Sequence, residues 1–316
     1  MSTINFLFLG GAKRVAIADL FEMTAKEKKC KAKFYSYELS KHVPIARKGE
    51  IIIGLKWKDS NIINHLIEVI KKYKINIVLA FVDPAVEIAS VLKNELQYVY
   101  IPVSKLDICK IMFNKREFAN WMKSNSLPIP QTYSEDNIFY PAIFKPIEGS
   151  ASKGIIIAKS KEDIHEDIKA ENYTIQKFVE NSAEYTVDCF VSEKQNILSI
   201  VPRIRLETVG GEVIRSMTIY DKKMIEISRL LIEKAKLTGP INIQFIKDLS
   251  TNELYVMEVN PRLGGGVVLS IHAGANIPGM MINEYLNYPN AECLNWKQNI
   301  LMTRYFKEVI FDAANY

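Results

Sequence analysis

The chain has few cysteines and histidines, and they do not fall into a recognisable site. Among 316 residues there are four of each. Cys30, Cys109, Cys189 and Cys293 lie far apart and lack the paired spacing of zinc-binding and redox motifs. No Ser-His-Asp, Cys-His or histidine-rich metal pattern is evident. We therefore expect free thiols in a reducing cytoplasm rather than disulfides or a zinc site.

Long apolar runs and dense runs of one charge are missing as well. No stretch approaches the ~20 apolar residues of a membrane helix. The short N-terminal apolar run has no basic region before it and ends at Gly10 and Gly11, unlike a signal peptide. The formal net charge of +5 comes from lysines scattered among acidic residues. These absences predict a cytoplasmic protein that binds neither a membrane nor a nucleic acid.

The remaining composition is that of an ordinary globular protein. Hydrophobic residues make up 48% of the chain and charged residues 24%. A chain of this length is typical of about two or three domains. No internal repeat is evident, so the domains must be recognised from changes in periodicity.

Residues 1–103 alternate apolar runs with amphipathic segments. Strands are predicted at 4–9, 33–37, 50–53 and 75–80, and helices from 14 to about 28 and over 59–73. This alternation predicts an α/β domain with a doubly wound parallel sheet.

The turn after the first strand does not match a nucleotide fingerprint. Gly10 and Gly11 do not complete the G-x-G-x-x-G pattern, and a tight strand-to-helix turn is favoured. The carboxyl ends of the strands nevertheless bind ligands in such sheets. Polar residues near those ends are therefore candidate contacts to a second substrate: Lys13, Arg14, Glu38, Asp83 and Glu87.

A helical connection is predicted over 104–126, followed by a small region of short strands over 127–180. One strand there carries Lys145 near its end, and a loop of small residues, 148–154, leads to a returning strand at 155–158. Such a loop can close over a phosphate chain, because its backbone N–H groups donate and the lysine neutralises charge. An ordinary hairpin turn has the same pattern, so the residues alone leave both interpretations open.

Residues 181–316 are organised around a hairpin whose arms are 239–248 and 254–262. Both arms are rich in β-branched and aromatic residues, and turn-forming residues separate them. If the arms pair antiparallel, Gln244 and Glu258 share a face with Asn260, and Val256 is expected on that face too. Oxygen ligands of this kind suit Mg²⁺. The alternative is the solvated outer face of an ordinary hairpin.

The order of these parts resembles the ATP-grasp superfamily, in its carbamoyl-phosphate-synthase-like, carboxylate–amine ligase branch. The most specific residues are 239–244 followed by 257–266, which carry an E-x-N-P-R-x-x-G-G signature. The resemblance runs from the N-terminal sheet to about residue 290. It implies an N-terminal parallel-sheet domain (1–103), a lid subdomain (127–180) and an antiparallel-sheet catalytic domain (181–316), α+β in character.

The resemblance also implies roles for individual residues. Arg262 and Lys145 would be catalytic, with Arg262 steadying the transferred phosphoryl group. Metal ligands would be Gln244, Glu258 and Asn260. Nucleotide contacts would come from these residues: Lys115, Lys145, Ser150, Gly154, Gln176, Lys177, Phe178, Val179 and Glu184. Beside Arg14 and the other strand-end candidates, the substrate-side contacts would include Arg205 and Gly210.

The activity implied by the resemblance is ligation of a small-molecule carboxylate to an amine. ATP and Mg²⁺, for which Mn²⁺ could substitute, would form an acyl phosphate, and an amide or peptide would result with release of ADP and phosphate. Related enzymes are often dimers, which implies a homodimer here. The glycines after Arg262 supply no second arginine, which argues against carbamoyl-phosphate synthesis itself. The alternatives are an ATP-dependent kinase or acyl-phosphate-forming enzyme without an amine acceptor, and a nucleotide-binding regulatory module without turnover.

Overall fold

The N-terminal part of the chain is built on a four-stranded parallel sheet. The computed structural model describes residues 2–147, 149, 154–165 and 168–312. Strand β1 (Thr3–Leu9) pairs with β2 (Lys31–Glu38) on one side and with β4 (Ile77–Ala80) on the other, and β2 pairs with β3 (Gly49–Ile53). The order β3-β2-β1-β4 confirms the predicted parallel sheet.

Apolar side chains cover both faces of this sheet. The helices that follow β1, β3 and β4 are α1 (Val15–Glu27), α2 (Ile62–Lys72) and α3 (Asp83–Glu95). Along β1, Phe6 and Phe8 belong to the core that contains α1, whereas Leu7 and Leu9 belong to the core that contains α2 and α3. Because strand side chains alternate, an unbroken apolar run is what a strand covered on both faces requires.

The sheet order reverses direction at β1. Arg14 follows β1, and Asp83 begins the helix that follows β4. Both residues therefore lie at the carboxyl edge of the sheet, between the strands where the order reverses. Ligands bind at this place in open α/β sheets.

Two helices rather than one form the connection to the rest of the chain. Helix α4 (Leu106–Phe113) stops before Asn114, and α5 (Lys115–Ser124) begins immediately after it. The Asn114 side chain accepts hydrogen bonds from the N–H groups of Arg116 and Glu117 at 3.1 and 3.0 Å, and so caps α5. The cap places Lys115 at the first position of α5.

A small antiparallel sheet follows the connection. Its strands are β5 (Thr132–Tyr133), β6 (Ala142–Pro146), β7 (Ile156–Ala158) and β8 (Tyr173–Lys177), in the order β5-β8-β6-β7. Ala142, Phe144, Ala158 and Ile175 form its small core. Within the loop between β6 and β7, Glu148 and residues 150–153 lie outside the described residues, and Ser150 is among them.

The C-terminal part contains a six-stranded antiparallel sheet in the order β13-β12-β9-β10-β11-β14. Its strands are β9 (Ser182–Val191), β10 (Ile197–Val209), β11 (Glu212–Thr218), β12 (Gly239–Asp248), β13 (Leu254–Asn260) and β14 (Leu301–Thr303). Its helices are α6 (Lys222–Ala235), α7 (Val267–His272) and α8 (Ile277–Tyr285). The sequence patterns do not predict β14 or α7, which have only three and six residues.

The organising hairpin pairs in the expected register. Gln244 lies opposite Glu258 and Asn242 lies opposite Asn260 on the antiparallel strands β12 and β13. Directly opposed residues of a strand pair project to the same face. The prediction that the oxygen-bearing side chains share one face is therefore confirmed.

A β-bulge changes which apolar residue accompanies them. The register shifts so that Phe245 lies opposite Val256, which leaves Met257 as the extra residue. Val256 is fully buried in the same core as Phe245, while Glu258 stays on the opposite face. The prediction that Val256 shares the face of Glu258 is wrong, because simple alternation does not hold across a bulge.

The cysteines are free, as expected. Cys30, Cys109 and Cys189 are buried and Cys293 is partly buried. Burial raises the pKa of the Cys109 thiol to about 12, so this thiol has little thiolate character at neutral pH. Among the described residues, no helix combines the length and the apolar character needed to cross a membrane.

We predict that Gly239→Ala destabilises the fold much more than Gly210→Ala. Both glycines have positive φ angles, +77° and +57°, which cost an alanine about 1–2 kcal/mol. A Cβ atom on Gly239 would also lie 2.6 Å from the Pro102 carbonyl carbon, whereas nothing lies within 4 Å at Gly210. Urea unfolding should therefore show an additional loss of about 2 kcal/mol for Gly239→Ala. Equal losses of stability for the two variants would contradict the close approach of the Pro102 backbone to Gly239 at the start of β12.

Candidate active site

A cleft of about 620 Å³ lies where the three sheets meet. Its walls come from the carboxyl edge of the parallel sheet, the start of α5, the small sheet and the C-terminal sheet. Most predicted site residues line it: Arg14, Asp83, Lys115, Lys145, Lys177, Phe178, Val179, Glu184, Arg205, Gly210, Gln244, Glu258, Asn260 and Arg262. Residues from four separately predicted regions thus converge on one cavity.

Two lysines line the cleft, Lys145 from the small sheet and Lys115 from the start of α5. The Nζ atom of Lys145 donates to Oε1 of Gln176 at 3.0 Å, and Nζ of Lys115 donates to the Gly149 carbonyl at 2.8 Å. The pKa of Lys145 is lowered to about 8, mainly by burial; Glu258 opposes this shift and the nearby Lys115 adds to it. Burial also lowers the pKa of Lys115. Two cations held close together in a cleft attract an anion.

A chain of polar contacts joins the C-terminal sheet to the parallel sheet. Asn260 Nδ2 donates to Glu258 Oε1 at 2.9 Å, and Arg262 Nη2 donates to Asn260 Oδ1 at 3.0 Å. Arg262 Nε also forms an ion pair with Asp83 Oδ1 at 2.7 Å. The side chains that follow β13 are therefore fixed by one another and by the start of α3.

Arg205 of β10 contacts three other residues in the C-terminal part of the chain. Its Nη1 donates to Gln244 Oε1 at 3.1 Å, its Nη2 donates to the Gly211 carbonyl at 3.3 Å, and its Nε lies 3.2 Å from Glu184 Oε2. Burial lowers the pKa of the guanidinium, and Glu184 opposes this effect. Glu184 keeps 47% of its side chain exposed, so it can contact a ligand that enters the cleft.

The donor set of Gln244, Glu258 and Asn260 fits a hard cation that takes its other ligands from phosphates. It supplies one carboxylate and two amide oxygens, and no cluster of three His, Cys, Asp or Glu residues able to hold a metal occurs in the described part of the chain. Each amide oxygen accepts one hydrogen bond from an arginine, which leaves it a second lone pair. The residues present are thus compatible with Mg²⁺ that also binds a nucleotide.

Some predicted residues lie outside the lining of the cleft. The buried side chain of Gln176 positions Lys145, and its own Nε2 lies 3.4 Å from Thr132 Oγ1. Glu38 accepts a 2.7 Å hydrogen bond from Ser36 Oγ and bonds to the backbone of the turn after β1. The remaining residues outside the lining are Lys13, Glu87 and Gly154.

Sequence reasoning missed a second group of polar residues at the other end of the cleft. Arg203 of β10 and Asn242 of β12 line it, and both bond to the buried Asp188 of β9. Glu212 also lines the cleft and pairs with Arg14 at 3.1 Å. The signal for Arg203 was the charged–apolar alternation of β10, which places it two residues from Arg205 on one face. Its partner lies 15 residues away and could not be recognised.

We predict that Lys145→Met is more stable than the wild type at pH 7, and that this difference shrinks as pH rises from 8 to 10.5. The ordinary lysine pKa of 10.5 falls to about 8 in the folded protein, so the unfolded chain binds more protons between these values and wild-type stability rises with pH. Methionine has no such dependence. The gain at neutral pH should be on the order of 1–3 kcal/mol.

Urea unfolding at pH 7, 8.5 and 10 measures this effect. Lys177→Met is the matched control, because its side chain lies nearby but is 38% exposed. A difference between Lys145→Met and the wild type that does not change with pH would contradict the buried position of the Lys145 amine.

Comparison with known proteins agrees with this geometry. Residues 170–308 match the family described as ATP-grasp in the biosynthetic pathway with Ter operon. The chain is 25% identical over 177 residues to the C-terminal section of the carbamoyl phosphate synthase large chain of Methanopyrus kandleri, which covers 47% of this chain but only 32% of that relative.

Two solved structures show the same fold at low sequence identity. Biotin carboxylase from Campylobacter jejuni superposes with a TM-score of 0.76 at 17% identity, covering 94% of this chain and 74% of that one. An L-amino acid ligase from Bacillus licheniformis gives a TM-score of 0.68 at 15% identity, covering 92% and 76%. Residues 170–308 thus match an ATP-grasp family, and the chain as a whole has the fold of these two solved structures.

Proposed function

We propose that this chain is an ATP-dependent carboxylate–amine ligase that works in the cytoplasm. The observation that carries the proposal is the convergence of Lys115, Lys145 and Arg262 with Glu258 and Asn260 in one cleft. Its similarity to a carbamoyl phosphate synthase large chain and to the fold of an L-amino acid ligase supports the same reaction class. The products would be an amide or peptide, ADP and phosphate.

In this proposal the two lysines bind the phosphate chain of ATP. Lys145 is held by Gln176 and Lys115 by the Gly149 carbonyl, so both amines are positioned before a nucleotide arrives. A phosphate would replace the water that these buried amines have lost, and it would favour their charged forms. The base would lie along residues 177–179, and the exposed carboxylate of Glu184 would face the ribose.

Gln244, Glu258 and Asn260 would hold Mg²⁺ or Mn²⁺ against the phosphates. When bound, the metal neutralises the charge that spreads over the phosphoryl oxygens during transfer. Glu258 is the single carboxylate of this set, and Asn260 orients it through a 2.9 Å hydrogen bond. The arginine contacts to the two amide oxygens keep those side chains turned toward the cleft.

Arg262 would hold the reacting carboxylate beside the terminal phosphate. Its guanidinium is fixed by Asp83 and Asn260, so little conformational freedom is lost when an anion binds. The carboxylate oxygen accepts the phosphoryl group and ADP departs. An amine then attacks the acyl carbon, the C–N bond forms, phosphate leaves, and the amine releases a proton. Exclusion of water from the cleft would protect the acyl phosphate from hydrolysis.

The experiment is an assay of nucleotide products from MgATP with pooled amino acids and small carboxylates, with and without hydroxylamine. A pool that yields ADP, phosphate and, with hydroxylamine, a hydroxamate would support the ligase. AMP with pyrophosphate would rule out an acyl phosphate. A phosphorylated product that resists hydroxylamine would favour a kinase, and MgATP binding without turnover in any pool would favour a regulatory module.

We predict that Glu258→Gln lowers turnover at least about 100-fold, because it removes the single carboxylate of the proposed metal site. It should also abolish the strengthening of ADP binding by Mg²⁺, as measured by calorimetry with and without EDTA. Glu253→Gln is the matched control: it removes the same charge from the exposed turn of the same hairpin and should leave both readouts unchanged. Full activity of Glu258→Gln would overturn the site assignment.

A further inference from the structure

Arg203 is a buried cation with an unused donor. Its side chain is only 3% exposed, and Nε donates to Asp188 Oδ2 at 2.8 Å. The Nη1 atom is buried, yet it has no hydrogen-bond partner among the described residues. A buried guanidinium nitrogen without a hydrogen-bond partner costs about 1–3 kcal/mol or more. Because Arg203 lines the cleft, a bound ligand would supply the missing acceptor.

Asp188 is bonded to other donors and not to Nη1. Its Oδ1 accepts from Asn242 Nδ2 at 2.8 Å, and its Oδ2 accepts from Ser270 Oγ at 2.7 Å in addition to Arg203. Each contact comes from a different element of the fold, and all four side chains are buried. Asp188 therefore neutralises and orients the guanidinium, but leaves Nη1 available.

Gly265 and Gly266 lie close to the charged side chains of this part of the cleft. A Cβ atom on Gly266 would lie 2.5 Å from Cζ of Arg203. A Cβ atom on Gly265 would collide with Glu212 and lie 3.2 Å from Nη1 of Arg14. Because these two residues have no side chains, the backbone after Arg262 packs directly against the guanidinium groups of Arg14 and Arg203.

A third arginine completes the cluster. Arg304, the residue after β14, lies 3.6 Å from Glu212 and donates to the Gly265 carbonyl. Burial lowers the pKa of Arg304, and the nearby Arg14 and Arg203 lower it further while Glu212 opposes them. Among the described residues, three arginines face two carboxylates, Asp188 and Glu212, so one positive charge of this cluster has no counterion there.

We propose that this part of the cleft, here called the arginine subsite (Arg14, Arg203 and Glu212 of the lining around Gly265 and Gly266, with the neighbouring Arg304), binds a second anionic group on a substrate. The proposal rests on the ligase function and narrows its substrates to molecules that carry a carboxylate or a phosphate besides the reacting carboxylate. Arg262 is engaged by Asp83 and Asn260 at a separate position, so the reacting group and the second anion have different partners.

The test measures binding of matched anion pairs to the full chain by calorimetry, with and without saturating MgADP. Succinate is compared with propionate, and 3-phosphoglycerate with glycerate, because the members of each pair differ in one anionic group. We expect at least tenfold tighter binding of the dianion in one pair, and that pair identifies the second group as a carboxylate or a phosphate. Equal binding in both pairs, or no binding by any of the four, would overturn the proposal.

Two variants test the residues. Arg14→Gln and Arg203→Lys should each reduce the dianion preference to below threefold, with MgADP affinity within twofold of the wild type. Arg229→Gln is the control, because Arg229 pairs with Glu292 at the surface and lies outside the cleft. In the described part of the chain the Arg14 side chain pairs with the half-exposed Glu212, so Arg14→Gln carries the test if Arg203→Lys does not fold. A preference that survives Arg14→Gln would contradict the proposal.

The ligase proposal fails separately from this one. If the wild type does not bind MgADP, the nucleotide site is wrong, whereas the anion pairs still report on the arginine subsite in the titrations without nucleotide.

Discussion

The hydrogen-bonded series from Glu258 through Asn260 and Arg262 to Asp83 is the contact on which the cleft depends. It spans 179 residues of sequence and joins the end of β13 to the ligand-binding edge of the parallel sheet. The two sheets also share an apolar core, in which Phe6 and Phe8 of β1 belong to the same cluster as Phe190 of β9. The polar series acts at the cleft itself, where it fixes Arg262 against the edge of the parallel sheet.

Charge is distributed through the cleft in pairs that leave a small positive excess. Arg262 faces Asp83, Arg205 faces Glu184, and Arg203 faces Asp188. Each acid holds its arginine in place and offsets part of the cost of burying it. The lysines are different, because Lys145 is held by a neutral amide and its pKa falls to about 8. In the described part of the chain, Lys145 and Lys115 are held by uncharged oxygens, so they add positive charge to the cleft beside that of the arginine subsite.

Local patterns predicted much of this architecture, and contacts distant in sequence set the limit. The apolar run of β1 and the alternation in the hairpin were sufficient for the parallel sheet and for the shared face of Gln244 and Glu258, both of which the structure confirms. Alternation failed at Val256, because one extra residue in a strand has no signature in a single sequence. Arg203 was missed because its partner Asp188 lies on β9. Asp188 is in turn held by Ser270 of α7, a helix too short to be predicted.

Arg14 and Arg304 lie near opposite ends of the sequence, which affects when their contacts can form during synthesis on the ribosome. Arg14 follows the first strand, and Arg304 follows β14, the strand that pairs with β11 at the edge of the C-terminal sheet. Both meet at Glu212, which is 198 residues from Arg14. A nascent chain that has not yet emerged beyond residue 304 can form the parallel sheet, but its Glu212 lacks the second of these two ion pairs. The ion pairs of Glu212 are thus completed only when synthesis has passed that residue.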